Sequence, residues 1–166
     1  MLLQSQIGAL LHQDHMTTIE TLQGLEELLG STRKPPSFDA ALADKLGALA
    51  ATLRAEVESH FAFEEGHLFP LFVSKGESGI VMMLTHEHRS ILPLAVRVAD
   101  LAVAAASQGF DEQSWRDFRD CGAELVEREI FHIQKEEMGL LAAISALLNE
   151  SEDTALAVTY QETVKS

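Results

Sequence analysis

Two copies of one local pattern, His60-Phe-Ala-Phe-Glu64 and His132-Ile-Gln-Lys-Glu136, set an imidazole and a carboxylate four residues apart. On a helix, residues at i and i+4 lie on one face a turn apart, so each pattern offers a nitrogen and an oxygen to one region. Nitrogen and oxygen donors without sulfur suit iron, manganese, zinc or cobalt. Imidazole mixed with a shared carboxylate favours iron or manganese over magnesium or calcium. The lone cysteine, Cys121, excludes an internal disulfide and a thiolate cage, points to a reducing, cytoplasmic setting, and itself reads as a small buried hydrophobe.

Such side chains need elements to aim them. A chain of 166 residues is long enough for one domain with a core. Its 46% hydrophobic content is mostly Leu and Ala, with 6% aromatic, which favours helices over a β-sandwich. Four apolar-periodic segments are separated by helix-ending punctuation. The first runs from Ser5 to Leu29 and stops at Gly30; Pro35 and Pro36 follow. The second opens behind Asp39 and is kinked or ended by Pro70; the third runs from Ile80 to Gly109. The fourth starts near Asp111 and reaches about Leu148. Short loops predict antiparallel neighbours, hence an all-α, up-down-up-down four-helix bundle over 1–150, with 151–166 as a loose or docked tail.

Charge and termini narrow the partners. The formal net charge of −14 argues against nucleic acid and anionic membrane surfaces. The first residues lack a leading Lys or Arg and run into an amphipathic pattern, so neither signal peptide nor membrane span is expected.

At 1.5 Å per residue from the shared end of such a bundle, His15, His60, Glu64, His88, His132 and Glu136 fall within roughly 13 to 24 Å of that end. All six lie on apolar stripes, where an unsatisfied polar group costs a few kcal/mol. The plain alternative is a set of core histidines hydrogen-bonded to carboxylates. A charged dry cluster is expensive, however, and a metal pair resolves it. Six protein ligands cannot fill two six-coordinate ions, so positions remain for water, O2, NO or peroxide. On the third helix His86 and His88 point about 200° apart, and His88 shares its face with Leu84, Ile91 and Ala95. His12 reads as a surface or ligand-orienting group. His67, at i+7 from His60, is an additional candidate, and Glu65 and Glu137 read as solvated.

These residues resemble the hemerythrin-like HHE cation-binding family over roughly Leu10 to Leu148. The resemblance rests on Asp14-His15, His60-x-x-x-Glu64-Glu65 followed by Leu68-Phe69-Pro70, Glu87-His88, and His132-x-x-x-Glu136-Glu137. It implies two iron ions, with manganese or zinc as substitutes. His15, His60, His88 and His132 would be terminal ligands and Glu64 and Glu136 bridging carboxylates. Leu84 and Leu92, four residues before and after His88, set the chain apart from the oxygen-carrying members, which resemble His-x-x-x-His there.

Three functions fit the pattern. The first is a non-haem di-iron binding protein with an exogenous small ligand, in sensing, detoxification or iron handling. The second is a di-iron oxidase or peroxidase, since Glu64-x-x-His67 and Glu129-x-x-His132 both satisfy Glu-x-x-His, although their register differs by roughly 15 Å. The third is a metal-free helical interaction module; a homodimer is open in every case.

Overall fold

Four of the five described helices begin where a side chain supplies an acceptor for their free N–H groups; the third, behind Glu77, has no such cap. In the computed structural model, which describes residues 4–164, helix α1 spans Gln6–Ser31, and the Ser5 hydroxyl caps it by accepting from Gly8 at 2.9 Å. Helix α2 covers 40–74 behind Asp39, α3 spans Ser78–Gln108, and α4 covers 112–147 behind an Asp111/Ser114 capping box. Gly76 and Gly109 end α2 and α3 with φ of 92° and 77°, a conformation that glycine adopts without steric cost. The described secondary structure is entirely helical.

Two features narrow the alternatives that the sequence reading left open. Pro70 does not end α2, which continues to Ser74. The proline stands one residue beyond a π-helical turn, Glu64–Leu68, where the hydrogen-bond ladder is being reset and its missing N–H costs least. The segment read as a tail forms a fifth helix, α5 (Glu150–Thr163), with an Asn149/Glu152 capping box.

Helix α5 buries only a short apolar face, Leu156, Ala157 and Tyr160, so polar contacts must help to dock it. Asp153, buried, accepts from the Ser5 hydroxyl at 2.6 Å and from the backbone N–H of Gln6 and Ile7 at 2.8 and 3.1 Å. These donors begin α1, so a negative charge sits at the positive end of that helix. Lys75 adds an ion pair to Glu152 at 2.9 Å.

The core is divided in two. One cluster joins Leu22–Leu29 of α1 to Leu42–Phe61 of α2, Ile91–Ala105 of α3 and Trp115–Ile133 of α4. The other joins Ile7 and Leu11 to Phe63–Phe72, Leu84, Leu140–Leu148 and the α5 face. On α1, α3 and α4 the gap between clusters falls where His15, His88 and Glu136 stand; on α2 the change-over comes between Phe61 and Phe63, with His60 just before it and Glu64 just after. Helix α3 is long and apolar enough by composition to cross a bilayer, a test that core helices also pass; its Leu84, Ile91, Ala95 and Val98 are buried in these clusters.

Removing the Asp153 carboxylate leaves three buried or half-buried donors unanswered. The Asp153→Ala protein should lose about 2–4 kcal/mol of stability, read as a lower urea midpoint. A midpoint within error of the parent would show that α5 docks through its apolar face alone.

Candidate metal centre

Ligand placement begins with three π-helical turns, Glu56–His60, Glu64–Leu68 and Glu136–Leu140. Each carries an extra residue per turn and so re-aims the side chains around it. Together they bring His60, Glu64 and Glu136 inward beside His15 and His88, and His132 stands one turn before the last of them. All six side chains are buried, with Glu64 and Glu136 at 0% exposure.

Glu136 divides its oxygens between two pairs of imidazoles. Its Oε2 lies 2.7 Å from His15 Nε2 and 3.7 Å from His60 Nε2; its Oε1 lies 2.7 Å from His132 Nε2 and 3.6 Å from His88 Nε2. Glu64 Oε1 faces His60 Nε2 at 3.1 Å and His88 Nε2 at 3.6 Å. Two ligand groups result, His15/His60/Glu136 and His88/His132/Glu136, each with donor atoms within 4.8 Å of one another.

The opposite ring nitrogens face outward to a second set of carboxylates. Asp14 on α1 takes His60 Nδ1 of α2 at 3.1 Å, and Glu65 on α2 takes His88 Nδ1 of α3 at 3.3 Å. Glu87 on α3 takes His132 Nδ1 of α4 at 2.9 Å, and Glu137 on α4 takes His15 Nδ1 of α1 at 2.5 Å. Every helix thus braces a histidine of the next, and the series closes on itself. A carboxylate only accepts, so each contact holds a proton on Nδ1, and in the neutral ring this leaves the Nε2 lone pair for the centre.

The remaining sequence candidates fall outside the ligand layer. His86 is exposed while His88 is buried and stacked on Phe61, ring centroids 3.8 Å apart. His67 is exposed because the Glu64–Leu68 π turn rotates it off the stripe that regular α spacing assigns it. With His67 outside, the ferritin-like pairing of Glu-x-x-His motifs is not assembled. His12, 53% exposed, donates to Glu137 Oε2 at 2.8 Å. Cys121 is half-buried at the edge of the core. Glu65 and Glu137 are not merely solvated, since both hold ring nitrogens. Spacing alone hid this role, because the braces reach across helices; the available signal was that each of the four acids adjoins a ligand in sequence.

Electrostatically the layer attracts positive charge. Burial disfavours the imidazolium of His15, but the Glu136 carboxylate outweighs it and leaves the pKa raised. His60 is likewise raised against burial, by the charges of Glu56 and Glu64. His132 is pushed up to about 10, burial being outweighed by Glu136. Glu136 is held well below the usual carboxylate range; burial opposes this, and His132 beside it prevails. Glu64 is raised by burial and by the Glu136 charge.

Sequence reasoning missed a buried acid pair one turn away, Glu56 and Glu129. Thr18 donates to Glu56 Oε2 at 3.1 Å, and burial together with the Glu56 charge pushes Glu129 well above the ordinary carboxylate value.

The donor set fits a cation. Neither Glu64 oxygen has a hydrogen-bond partner, nor does His60 Nε2 facing it, although all are buried. Lone pairs that converge on a shared space rather than on one another's hydrogens are what a metal satisfies. An all-helical chain with this layer across its core is a helical cation-binding domain. The chain belongs to the Hemerythrin HHE cation binding domain family, whose model matches residues 6–144. No curated protein matches it.

Because Glu129 holds its proton more tightly folded than unfolded, it contributes stability that is present below pH 4.5 and lost as pH rises from there toward the folded pKa. In metal-free protein Glu129→Gln should therefore raise the melting temperature at pH 8 more than at pH 5. A difference that does not grow with pH would place Glu129 in an environment that tolerates its charge.

Proposed function

We propose that the chain holds two iron ions, with His15 and His60 serving one, His88 and His132 the other, and Glu64 and Glu136 between them. The carrying observation is the division of Glu136 between two histidine pairs, one oxygen to each. Manganese or zinc would satisfy the same donors. Such an iron pair supplies redox capacity and open coordination positions, suited to O2, NO or peroxide in sensing, detoxification or iron handling.

The chain's own residues do the rest. The braces hold each ring rotation and keep its Nδ1 protonated. Phe61 and Phe69, both stacked on His88, exclude water on that side. The unpartnered Glu64 oxygens argue against a metal-free interaction module, which would leave a buried carboxylate unanswered.

An up-down-up-down arrangement of α1 to α4 fits the divided core. The N-terminal halves of α1 and α3 share one cluster with the C-terminal halves of α2 and α4. A cytoplasmic location follows the single half-buried cysteine, and the net charge of −14 favours cations over polyanions or anionic membranes as partners. Exposed Met82, Met83 and Met138 leave room for a homodimer.

Anaerobic reconstitution with Fe2+ followed by metal quantitation should give two ions per chain. Glu136→Ala or Glu64→Ala should lower both together, and His88→Ala should deplete more metal than His86→Ala. Retention of one full equivalent in Glu136→Ala would assign that carboxylate to a single ion. Loading should raise the melting temperature, since free ion at a thousand times its dissociation constant adds about 4 kcal/mol; an unchanged value with iron, manganese and zinc would remove the metal from the reading.

Protons compete for the same nitrogens. With His15, His60 and His132 raised, competition begins above the ordinary histidine range rather than at about pH 6.5. Affinity should therefore strengthen by about tenfold per pH unit between pH 7 and 8 for each proton released. Isothermal titrations in two buffers of different ionisation enthalpy count those protons, and none released would contradict the raised values.

A further inference from the structure

Among the four carboxylates that brace the histidines, Asp14 has a partner from outside the family region. The family match ends at residue 144, whereas Tyr160 stands on α5, Glu150–Thr163. Tyr160 is buried, and its hydroxyl donates to Asp14 Oδ2, the same oxygen that accepts from His60 Nδ1. A continuous line therefore runs from α5 through α1 to the ligand face of α2: Tyr160, Asp14, His60.

We propose that Tyr160 is a positioning residue of the metal centre, so that α5 completes the ligand shell of a domain to which it does not belong by family. This rests on the reading that the centre binds metal. Three observations carry it. First, Asp14 Oδ2 serves two donors at once, so the phenol fixes the carboxylate in the orientation that His60 requires and withdraws charge from the oxygen facing its ring. Second, burial and the Asp14 carboxylate raise the phenol's pKa, so it remains a donor throughout the neutral range. Third, α5 is held rigidly enough to aim it. Asp153 is seated on the first N–H groups of α1, and the Tyr160 ring meets Phe63 edge to face, centroids 5.3 Å apart at 89°.

Phe63 immediately precedes Glu64, so the ring of Tyr160 packs on the residue next in sequence to the carboxylate proposed to lie between the ions. The ring and the hydroxyl are separable by substitution. Phenylalanine keeps the ring, its volume and its contact with Phe63, and removes only the donor.

The test uses the full chain and Co2+, whose visible bands report the strength and geometry of its ligands. Tyr160→Phe should keep the helix content of the parent, bind Co2+ with about tenfold weaker affinity and shift the visible bands, since loss of an outer partner typically weakens a metal site by tenfold to a hundredfold. Leu156→Ala is the companion variant, because it opens a cavity under the same helix without touching the hydrogen-bond line. It should lower the melting temperature of the metal-free protein while leaving the Co2+ bands in place. Parent-like affinity and bands in Tyr160→Phe would overturn the proposal. So would the same band shift in Leu156→Ala, which would mean that docking of α5 acts through packing alone. Failure of the parent chain to bind Co2+, Fe2+ or Mn2+ would instead remove the metal reading on which the proposal stands.

Discussion

Four imidazoles and two carboxylates stacked in one buried layer are an electrostatic demand that the rest of the chain has to meet. Apolar packing alone, such as Phe61 and Phe69 stacked on His88, cannot satisfy the polar groups of such a layer, and they are buried from water. It persists because every ring has a carboxylate on its outer nitrogen, with each helix answering for the next. Removing one brace would free one ring from its Nδ1 partner and open the cycle, so the geometry of any one ligand depends on helices that do not touch it. The divided core is the complement of this arrangement, with apolar residues filling the space above and below the layer and Phe61 reaching into it against His88.

The π turns are how regular helices accommodate that layer. A helix with uninterrupted α spacing that presented both His60 and Glu64 inward would carry His67 on nearly the same face, spreading polar groups along the core. The turn at Glu64–Leu68 rotates His67 into solvent and returns Leu68 and Phe69 to the apolar cluster. The same device in α4 follows Glu136 and returns Leu140 and Ile144 to the core while Met138 is exposed. Local irregularity thus confines polarity to a single level.

Much of this was legible in the sequence. The helix starts at Ser5, Asp39 and Asp111 follow from capping chemistry, and the inward, buried placement of His15, His60, Glu64, His88, His132 and Glu136 follows from i, i+4 spacing and a common depth. The choice of His88 over His86 followed from its apolar neighbours. What was hidden has a common cause: it depends on contacts between helices. The braces Glu65 and Glu137 looked like solvated neighbours because spacing says nothing about what lies across a groove. Helix α5 looked like a tail because its apolar stripe is short and its docking rests on Asp153, a residue that reads as surface. His67 looked aligned because a uniform period was assumed where the backbone widens.

The partners of this layer come from nearly the whole length of the chain. His15 meets Glu136 and Glu137 across more than 120 residues, and Tyr160 meets Asp14 across 146. During synthesis the first helix leaves the ribosome well before α4 and α5 have been made. No pair of early helices brings together both histidine pairs and the carboxylate between them, because Glu136 stands on α4. Until that helix has been made, His15, His60 and Glu64 lack the Glu136 and Glu137 partners that the folded chain gives this layer. The layer as a whole can close only once α4 has been made and has folded back onto α1, so its assembly is a late event whatever occupies it.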